Sequence, residues 1–489
     1  MGQIVHADLH YHSGASGSVG RINLLDFVLV APLKGINVVG TGDCLHDRPN
    51  KASPVPWVTK LQDQLVESGD GSGAFYLRAP HASASDDGDE LASLPRSEVN
   101  GVEVYDSIVF VLQSEVIFTC AIENQRKMTH VVLLFPSFEA VDDALSLFRS
   151  WGSPTHVGRP FVSCDDPEDV GDKLNRLLDL NPLVEAVPAH VMTPSGVFGS
   201  KVPVDWLENF FGGATSRIHA VETGLSADPV VLGLIPELDD LTLLSCSDAH
   251  SVHPHRLGRE FTTLEVDSLD YAGIVDAIRN KRVVRTAEFN PAEGKYFLSG
   301  HRADKAGHER GAYCVFSPKH TPPSKLCPIC GKPVTVGVLE RATHLSWVQT
   351  GGDPREFGYR PPGQQEFVHV VPLVEVLSRG YFGSKAPATT RGLRLYQRLV
   401  PLFGNECQLW LMSEEEVLDA VRGKLGDAKE VKDEGKLLNL LMQVKRGEFC
   451  YRPMGFDGQY GQLCFGEAQA PEDAFETNVV VYADHLLEE

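Results

Sequence analysis

The stretch Ile36-Asn-Val-Val-Gly-Thr-Gly-Asp-Cys-Leu-His46 runs from a short β-branched apolar segment directly into two metal-ligating side chains, Asp43 and His46. Residues 36–40 read as a buried strand, because a brief apolar run bounded by turn-forming glycines suits a strand covered on both faces. Runs at 108–112, 131–135, 184–187, 219–221 and 241–244 have the same character. Amphipathic stretches at 24–33, 138–149, 170–180 and 268–279 lie between them. This alternation predicts an α/β fold whose parallel sheet is either open or closed into a (β/α) barrel.

Further ligand types cluster at the ends of these runs. Glu115, His190 and Asp248, like Asp43, follow a run directly, where a (β/α) barrel gathers catalytic residues on one rim. His130 is the exception, since it precedes its run. Asp8-Leu-His-Tyr-His-Ser13 adds His10 and His12, and Ser247-Asp-Ala-His250 adds His250. In His-x-His on a strand end both rings share a face, so both can reach one ion. Singly these signals are weak. His130 or His190 alone reads equally as a core histidine, Glu115 as a salt-bridge partner, and Asp43 as a group that orients His46. Together, mixed imidazole and carboxylate donors suit zinc, manganese or iron better than magnesium alone. Nine donors exceed the needs of one tetrahedral ion, so two or three ions are expected. Such sets stabilise the attacking and leaving oxygens of a displacement at phosphorus.

Length and composition frame this reading. A chain of 489 residues allows two to four domains. The first residues carry neither a basic segment nor an apolar run of the kind found in signal peptides, and no stretch is apolar enough to span a membrane. Ten cysteines then read as reduced thiols, and the expected location is cytoplasmic. The net charge of −22 argues against indiscriminate coating of nucleic acid. Residues 295–400 nevertheless carry 15 basic side chains against 7 acidic ones, an electrostatic footprint inside an acidic protein.

That basic segment contains Cys327-Pro-Ile-Cys330-Gly-Lys, the form of a zinc knuckle. Cys314 lies upstream, and His308, His301 or His320 can complete the set; Cys314, Cys327, Cys330 and His308 are taken as the structural zinc ligands. The expected division is a metallo-phosphoesterase domain at 1–292, a zinc-ribbon-like module at 293–348, a helical C-terminal domain at 349–470 and a loose acidic tail at 471–489. Residues 47–104 read as a long surface insertion near the rim. The expected C-terminal helices lie at 371–377, 393–403, 414–425 and 437–445, and residues 447–461 read as a hairpin.

Asp8-Leu-His-Tyr-His-Ser13, Gly40-Thr-Gly-Asp-Cys-Leu-His46, Glu115, His130 and Ser247-Asp-Ala-His250 resemble the motifs of the PHP (polymerase and histidinol phosphatase) superfamily. More narrowly, the chain is similar to the endonuclease Q group. This rests on Val187-Pro-Ala-His-Val-Met-Thr-Pro194, Val221-Glu-Thr-Gly-Leu-Ser-Ala-Asp-Pro229, Leu257-Gly-Arg-Glu260, Glu293-Gly-Lys-Tyr-Phe297, the knuckle and Gly455-Phe-Asp-Gly-Gln-Tyr-Gly461. The resemblance runs from residue 3 to about 466. It implies a DNA-repair endonuclease that incises 5′ to uracil, hypoxanthine, xanthine or abasic sites, leaving a 3′-hydroxyl and a 5′-phosphate. It also implies a distorted barrel of PHP type, a trinuclear centre of zinc, manganese or magnesium, one structural zinc, and a helical C-terminal domain that grips damaged DNA. A replication clamp or helicase is the protein partner this reading admits. His10, His12, Glu115 and Asp248 would hold one ion. His130 and His190, with Glu115 bridging, would hold a second; His46, His250 and Asp43 a third. Glu222 is then a proton donor or a residue that orients a ligand. The competing readings are a phosphomonoesterase on a small molecule and a DNA-binding protein without catalysis. The first leaves the knuckle and basic segment unexplained; the second leaves the complete donor set unexplained.

Overall fold

A computed structural model describes residues 2–16, 22–79, 94–426, 428–470 and 473–482. The sheet is built around β1 (Gln3–Asp8), β2 (Val38–Gly40), β3 (Leu65–Glu67), β4 (Phe75–Arg78), β5 (Arg96–Val99), β6 (Val102–Ile122) and β7 (Gln125–Phe135). β8 (Phe161–Ser163), β9 (Glu185–Pro188), β10 (Ala220–Glu222), β11 (Thr242–Leu244), β12 (Phe261–Val266) and β13 (Val283–Glu288) follow. β1 runs parallel to β2, and β2 parallel to β6, with Ala7 opposite Val38 and Val38 opposite Val109.

The sheet is mixed, which corrects the expectation of a parallel one. β1 pairs antiparallel with β12, β12 with β13, β6 with β7, and β7 with β9. The cause at β6–β7 is local. Only Glu123 and Asn124 separate the two strands, with Glu123 in the left-handed region at φ 52°. Parallel pairing needs a crossover of a dozen or more residues, so this connection permits only a hairpin. It also relocates two expected ligands. Glu115 lies within β6 rather than after a strand, and His130 lies within β7 rather than before one.

The strand ladder is interrupted in two places. β10 and β11 form a separate parallel pair. Val191 N donates to Glu222 O across the β9–β10 gap at 3.1 Å, and Ser245 N donates to Thr262 Oγ1 across the β11–β12 gap at 2.8 Å.

Helices Leu24–Lys34, Phe138–Ser150, Pro167–Leu178 and Tyr271–Arg279 cover the sheet close to their expected positions. Each begins at a side-chain cap: Asn23, Ser137, Asp166 and Asp270 accept from the backbone N–H three residues on. Their apolar stripes are buried, as at Val141, Ala144, Leu145 and Phe148.

Residues 47–104 do more than decorate the surface. The helix Trp57–Gln64 buries Trp57 and Leu61, and β4 pairs with β6, so this segment extends the sheet edge. Its residues 80–93 lie outside the described residues.

The second half of the chain is interwoven with the first. β16 (Glu366–His369) pairs in parallel with β13 at the sheet edge. β14 (Ser299–His301) and β15 (Tyr313–Phe316) form a small sheet that β19 (Asn478–Val481) completes. Part of the tail expected to be loose is therefore a strand, because its Asn-Val-Val-Val run pairs with the exposed edge of β15; residues 471–472 and 483–489 lie outside the described residues. Helices Thr390–Phe403, Glu414–Val421 and Glu434–Lys445 form the C-terminal region. Residues 376–381 are π-helical. The hairpin expected at 447–461 pairs β17 (Phe449–Tyr451) with β18 (Leu463–Phe465), so most of the expected span is its connection. Among the described residues no helix is long and apolar enough to cross a membrane.

Candidate metal centre

Seven of the nine candidate ligands converge where β1, β6, β7, β9 and the loop after β11 meet. Three donor groups form, each with its atoms within 4.8 Å of one another: His10, His12 and Glu115; His12, Asp248 and His250; Glu115, His130 and His190. His12 and Glu115 each belong to two groups, so the three are contiguous. His12 Nε2 lies 3.1 Å from Asp248 Oδ1 and 3.5 Å from Glu115 Oε2. Glu115 Oε1 is 2.5 Å from His130 Nδ1 and 3.4 Å from His190 Nε2.

Neighbouring groups set which nitrogen of each ring faces the cluster. His10 Nδ1 contacts both carboxylate oxygens of Glu222 at 3.0 and 3.1 Å, leaving Nε2 to point inward. Glu222 Oε2 also accepts from His190 N at 2.8 Å, which ties the β9 loop to β10. Thr193 Oγ1 donates to His190 O at 3.0 Å and lies 2.7 Å from His190 Nδ1, so it accepts there and leaves Nε2 bare. His250 Nδ1 donates to Asp248 O at 2.9 Å. Asp43, His190 and Asp248 have φ of 45°, 33° and 45°. Left-handed backbone at three non-glycine residues is strain held by the surroundings, and it concentrates at functional sites.

The electrostatics favour added positive charge. Burial alone would lower the pKa of the His10 and His12 rings, yet carboxylates outweigh it. Glu222, Asp248 and Glu115 raise His10 to about 9, and the nearby carboxylates of Asp248, Asp43 and Glu115 raise His12 to about 10. Burial pushes the carboxyls of Glu115 and Asp248 upward. The surrounding histidines, led by His130 for Glu115 and His10 for Asp248, overcome it and hold both below the usual carboxylate range. Meanwhile His10 Nε2, both nitrogens of His12, and Asp43 and Asp248 Oδ1 are buried with no hydrogen-bond partner among the described residues. Each such group costs about 1–3 kcal/mol if left unpaired. Convergent orphaned nitrogen and oxygen atoms are a donor set that fits divalent cations.

Two expected ligands stand apart. Asp43 Oδ2 accepts from Ser13 N at 2.8 Å and Ser13 Oγ at 2.6 Å, so this carboxylate chiefly braces the β1 loop, with Oδ1 3.5 Å from His12 Nδ1. His46 Nδ1 accepts from Trp57 N at 3.0 Å, and its Nε2 faces Asn50 Nδ2 at 3.1 Å. His46 belongs to none of the three donor groups, whereas His250 groups with His12 and Asp248.

Other residues at the site carried no sequence signal read above. Asp8 Oδ1 accepts from Ser247 N at 2.9 Å and Oδ2 from Gly258 N at 3.1 Å, holding the loop that bears Asp248. Its place in the first histidine motif was the available clue. Gln113 Oε1 accepts from Tyr11 N and Gly42 N, joining the first two ligand loops. Arg159 Nη1 lies 3.4 Å from Glu115 Oε2, with 30% of its side chain exposed. It faces both cluster and solvent.

The knuckle gathers a second donor set: His301, His308, Cys327 and Cys330. His301 Nε2 donates to Pro333 O and His308 Nδ1 to Ala312 O, both at 2.8 Å, so the opposite nitrogens face the sulfurs. Burial raises the Cys327 thiol, but backbone N–H groups of Cys330 and Ile329, the His308 ring and the Cys314 thiol bring it down to about 7. Cys314 lies 3.6 Å from Cys327 but outside the four-residue set, and burial pushes its thiol up to about 12. His301, on β14, is the fourth member of this group. His320 turns to Ser317 Oγ at 3.0 Å.

No protein-family model matches the chain. It is 31% identical over 250 residues to an uncharacterized protein of Methanocaldococcus jannaschii, a match covering 50% of this chain and 28% of that one. It is 29% identical over 389 residues to the uncharacterized protein YqxK of Bacillus subtilis, covering 76% and 82%. Among solved structures, the lesion-specific endonuclease PfuEndoQ from Pyrococcus furiosus matches with a TM-score of 0.67 at 24% identity, over 98% of both chains. Endonuclease Q in complex with a 27-mer duplex bearing an abasic lesion matches with a TM-score of 0.68 at 24% identity, over 98% of this chain and 99% of that one. Across essentially its whole length, this chain has the fold of endonuclease Q.

Proposed function

We propose that the protein is a metal-dependent endonuclease that hydrolyses the DNA phosphodiester 5′ to a deaminated base or an abasic site. The observation that carries this reading is the contiguous, largely buried set of His and carboxylate donors, several of them without hydrogen-bond partners, on a fold shared with lesion-specific endonucleases. On this reading the interrupted ring of strands is a distorted barrel of PHP type, and residues 1–292 are its catalytic part.

His10, His12, His130, His190, His250, Glu115 and Asp248 would hold two or three divalent ions, zinc, manganese or magnesium. Such ions lower the pKa of water and offset the charge of a phosphodiester. The chain itself does the rest. Glu222 fixes His10 and the backbone of His190 at once. Asp8 and Arg259 both tie Ser247 to the far end of the segment 247–259: Asp8 accepts from Ser247 N and Gly258 N, and Arg259 donates to Ser247 O at 3.0 and 2.8 Å. Arg159 is placed to meet a phosphate oxygen as it enters. His301, His308, Cys327 and Cys330 would hold a structural zinc that braces the small sheet. The basic segment 295–400 and the helices of 349–470 would then flank the duplex.

End-labelled duplexes with one uracil, one hypoxanthine or one abasic site, incubated with manganese or magnesium, test the proposal. The expected result is a lesion-dependent nick that is lost in His12→Ala and Asp248→Ala. Equal cleavage of undamaged DNA, or cleavage unchanged in both variants, would overturn it.

A further inference from the structure

Gly455-Phe-Asp-Gly-Gln-Tyr-Gly461 belongs to neither donor set, yet it lies against the chain that leads from the main sheet to the knuckle. Asp457 and Gly458 form the corner of a two-residue turn, with φ of 44° and 88°. Phe456 and Gln459 exchange backbone hydrogen bonds of 3.1 and 2.9 Å across it. Asp-Gly is one of the pairs that fits such a turn. The outer glycines permit close approach: a Cβ at Gly455 would collide with Gly294 O, and one at Gly461 with Ala292 O. Gly455 N donates to Ala292 O at 2.8 Å, Gly461 N to Glu293 O at 2.9 Å, and Leu298 N to Gly455 O at 3.0 Å. The loop is thus laid along residues 292–298, which join β13 to β14. It carries Tyr460, 51% exposed, with Lys295 Nζ 4.6 Å from the ring centre.

The Asp457 side chain is buried, and the knuckle module supplies its partners. Oδ2 accepts from Arg302 N at 2.9 Å, and Oδ1 from Lys305 Nζ at 2.7 Å and Thr335 Oγ1 at 2.5 Å. Each partner adjoins a knuckle donor. Arg302 follows His301 directly. Lys305 O accepts from His308 N at 2.9 Å. Thr335 pairs with Gly300, just before His301, and lies two residues beyond Pro333, whose carbonyl accepts from His301 Nε2. Burial raises the Asp457 carboxyl, but Lys305, Thr335 and Arg302 N hold it below the usual carboxylate range. An aspartate that served only its own turn would bond the backbone N–H two residues on. This one reaches across to the module that bears the four donors instead. Resting on the nuclease reading above, we propose that Asp457 is a positioning residue: it couples the knuckle to loop 455–461 and so fixes Tyr460 and Lys295 beside the passing duplex. While His301, His308, Cys327 and Cys330 are held together, Arg302 N, Lys305 and Thr335 keep one spacing, and the carboxylate is clasped. When the knuckle opens, these partners separate and the loop is released.

Asp457→Asn keeps the turn, because Asn-Gly fits it equally well, and removes the charge. Cys330→Ser opens the knuckle without altering any ligand of the metal centre. Hydrogen exchange of the 455–461 amides is measured in wild type, both single variants and the double variant, with no DNA present. Each single variant is expected to speed that exchange about tenfold, an ordinary size for coupling between two sites, and the double variant to exchange no faster than either. Effects that multiply in the double variant would show that knuckle and loop act independently and overturn the coupling. Unchanged exchange in Asp457→Asn would overturn it too. Lys305→Met alters a side chain that is 32% exposed, so folding is at little risk; a smaller acceleration is expected, and none would contradict the clasp. On a uracil or abasic duplex, Asp457→Asn is expected to raise KM severalfold while kcat stays within about twofold, the mark of lost uniform binding. A fall in kcat at constant KM would overturn the placement of the loop beside the duplex. Wild-type protein that cuts neither duplex but shows the exchange coupling removes the nuclease reading and leaves the coupling standing.

Discussion

At the residue scale the centre depends on side chains that hold other side chains. Glu222 touches both His10 and the backbone of His190, so it orients two donors that lie 180 residues apart in sequence. Glu222→Ala is expected to weaken metal binding by about 10–100-fold, the usual scale for removing a group that orients a ligand. Titration of the metal-free protein with manganese or zinc checks this; unchanged affinity would make Glu222 merely structural. Glu222 was legible because it ends a short apolar run before Thr-Gly. Asp8 was not, although it sits within the most informative motif. Its partners Ser247 and Gly258 are brought to it only by the pairing of β1 with β12. Asp43 and His46 lie outside the three donor groups. Their residue types and spacing suit a metal, but Ser13 takes Asp43 Oδ2 and Trp57 takes His46 Nδ1. Sequence carries ligand types; it does not carry which lone pairs remain free.

At the scale of elements, loop conformation places the donors. Gly224 has φ 66° and packs its α-carbon against His190. Gly224→Ala is expected to displace His190 and cut nicking at least tenfold while thermal unfolding stays cooperative, because the nearest atoms are His190 Cβ and Cα, not a flexible chain end. Nicking rates and a melting curve on the same preparation check both halves, and full activity would show that the loop absorbs the clash. The covering helices were readable because their apolar periodicity and caps agree. The β6–β7 hairpin was not. Its strands carry Gln113, Ser114, Glu115, Lys127, Thr129 and His130 among apolar residues, so only fragments of each strand looked apolar. Those polar residues interrupt the pattern because the site is built into the strands themselves.

At the scale of the whole molecule, β16 joins the second half of the chain to the main sheet, and within the second half β19 ties the C-terminal segment to the knuckle sheet. Neither joint shows in local patterning, since each strand has four residues and its partner is far away in sequence. Where the regions meet, buried acids accumulate. Burial, reinforced by Glu293, raises Glu375 to about 8, and burial raises Glu288 to about 7. In the folded protein these two acids keep protons that the unfolded chain releases near the ordinary value of 4.5, so their contribution to stability is lost as pH rises from about 4.5 to about 8. Melting temperatures across that window should decline more steeply for wild type than for Glu375→Gln; identical slopes would contradict the assignment. The acidic total and basic 295–400 segment were legible from composition, and so was the chemistry of the donor set. The account as a whole is tested most directly by the ends of the cut strand. A uracil-containing duplex incubated with the metal-loaded protein should yield one nick 5′ to the lesion, with a 3′-hydroxyl that a polymerase extends and a 5′-phosphate. Intact DNA from protein whose metal content has been verified would contradict the account.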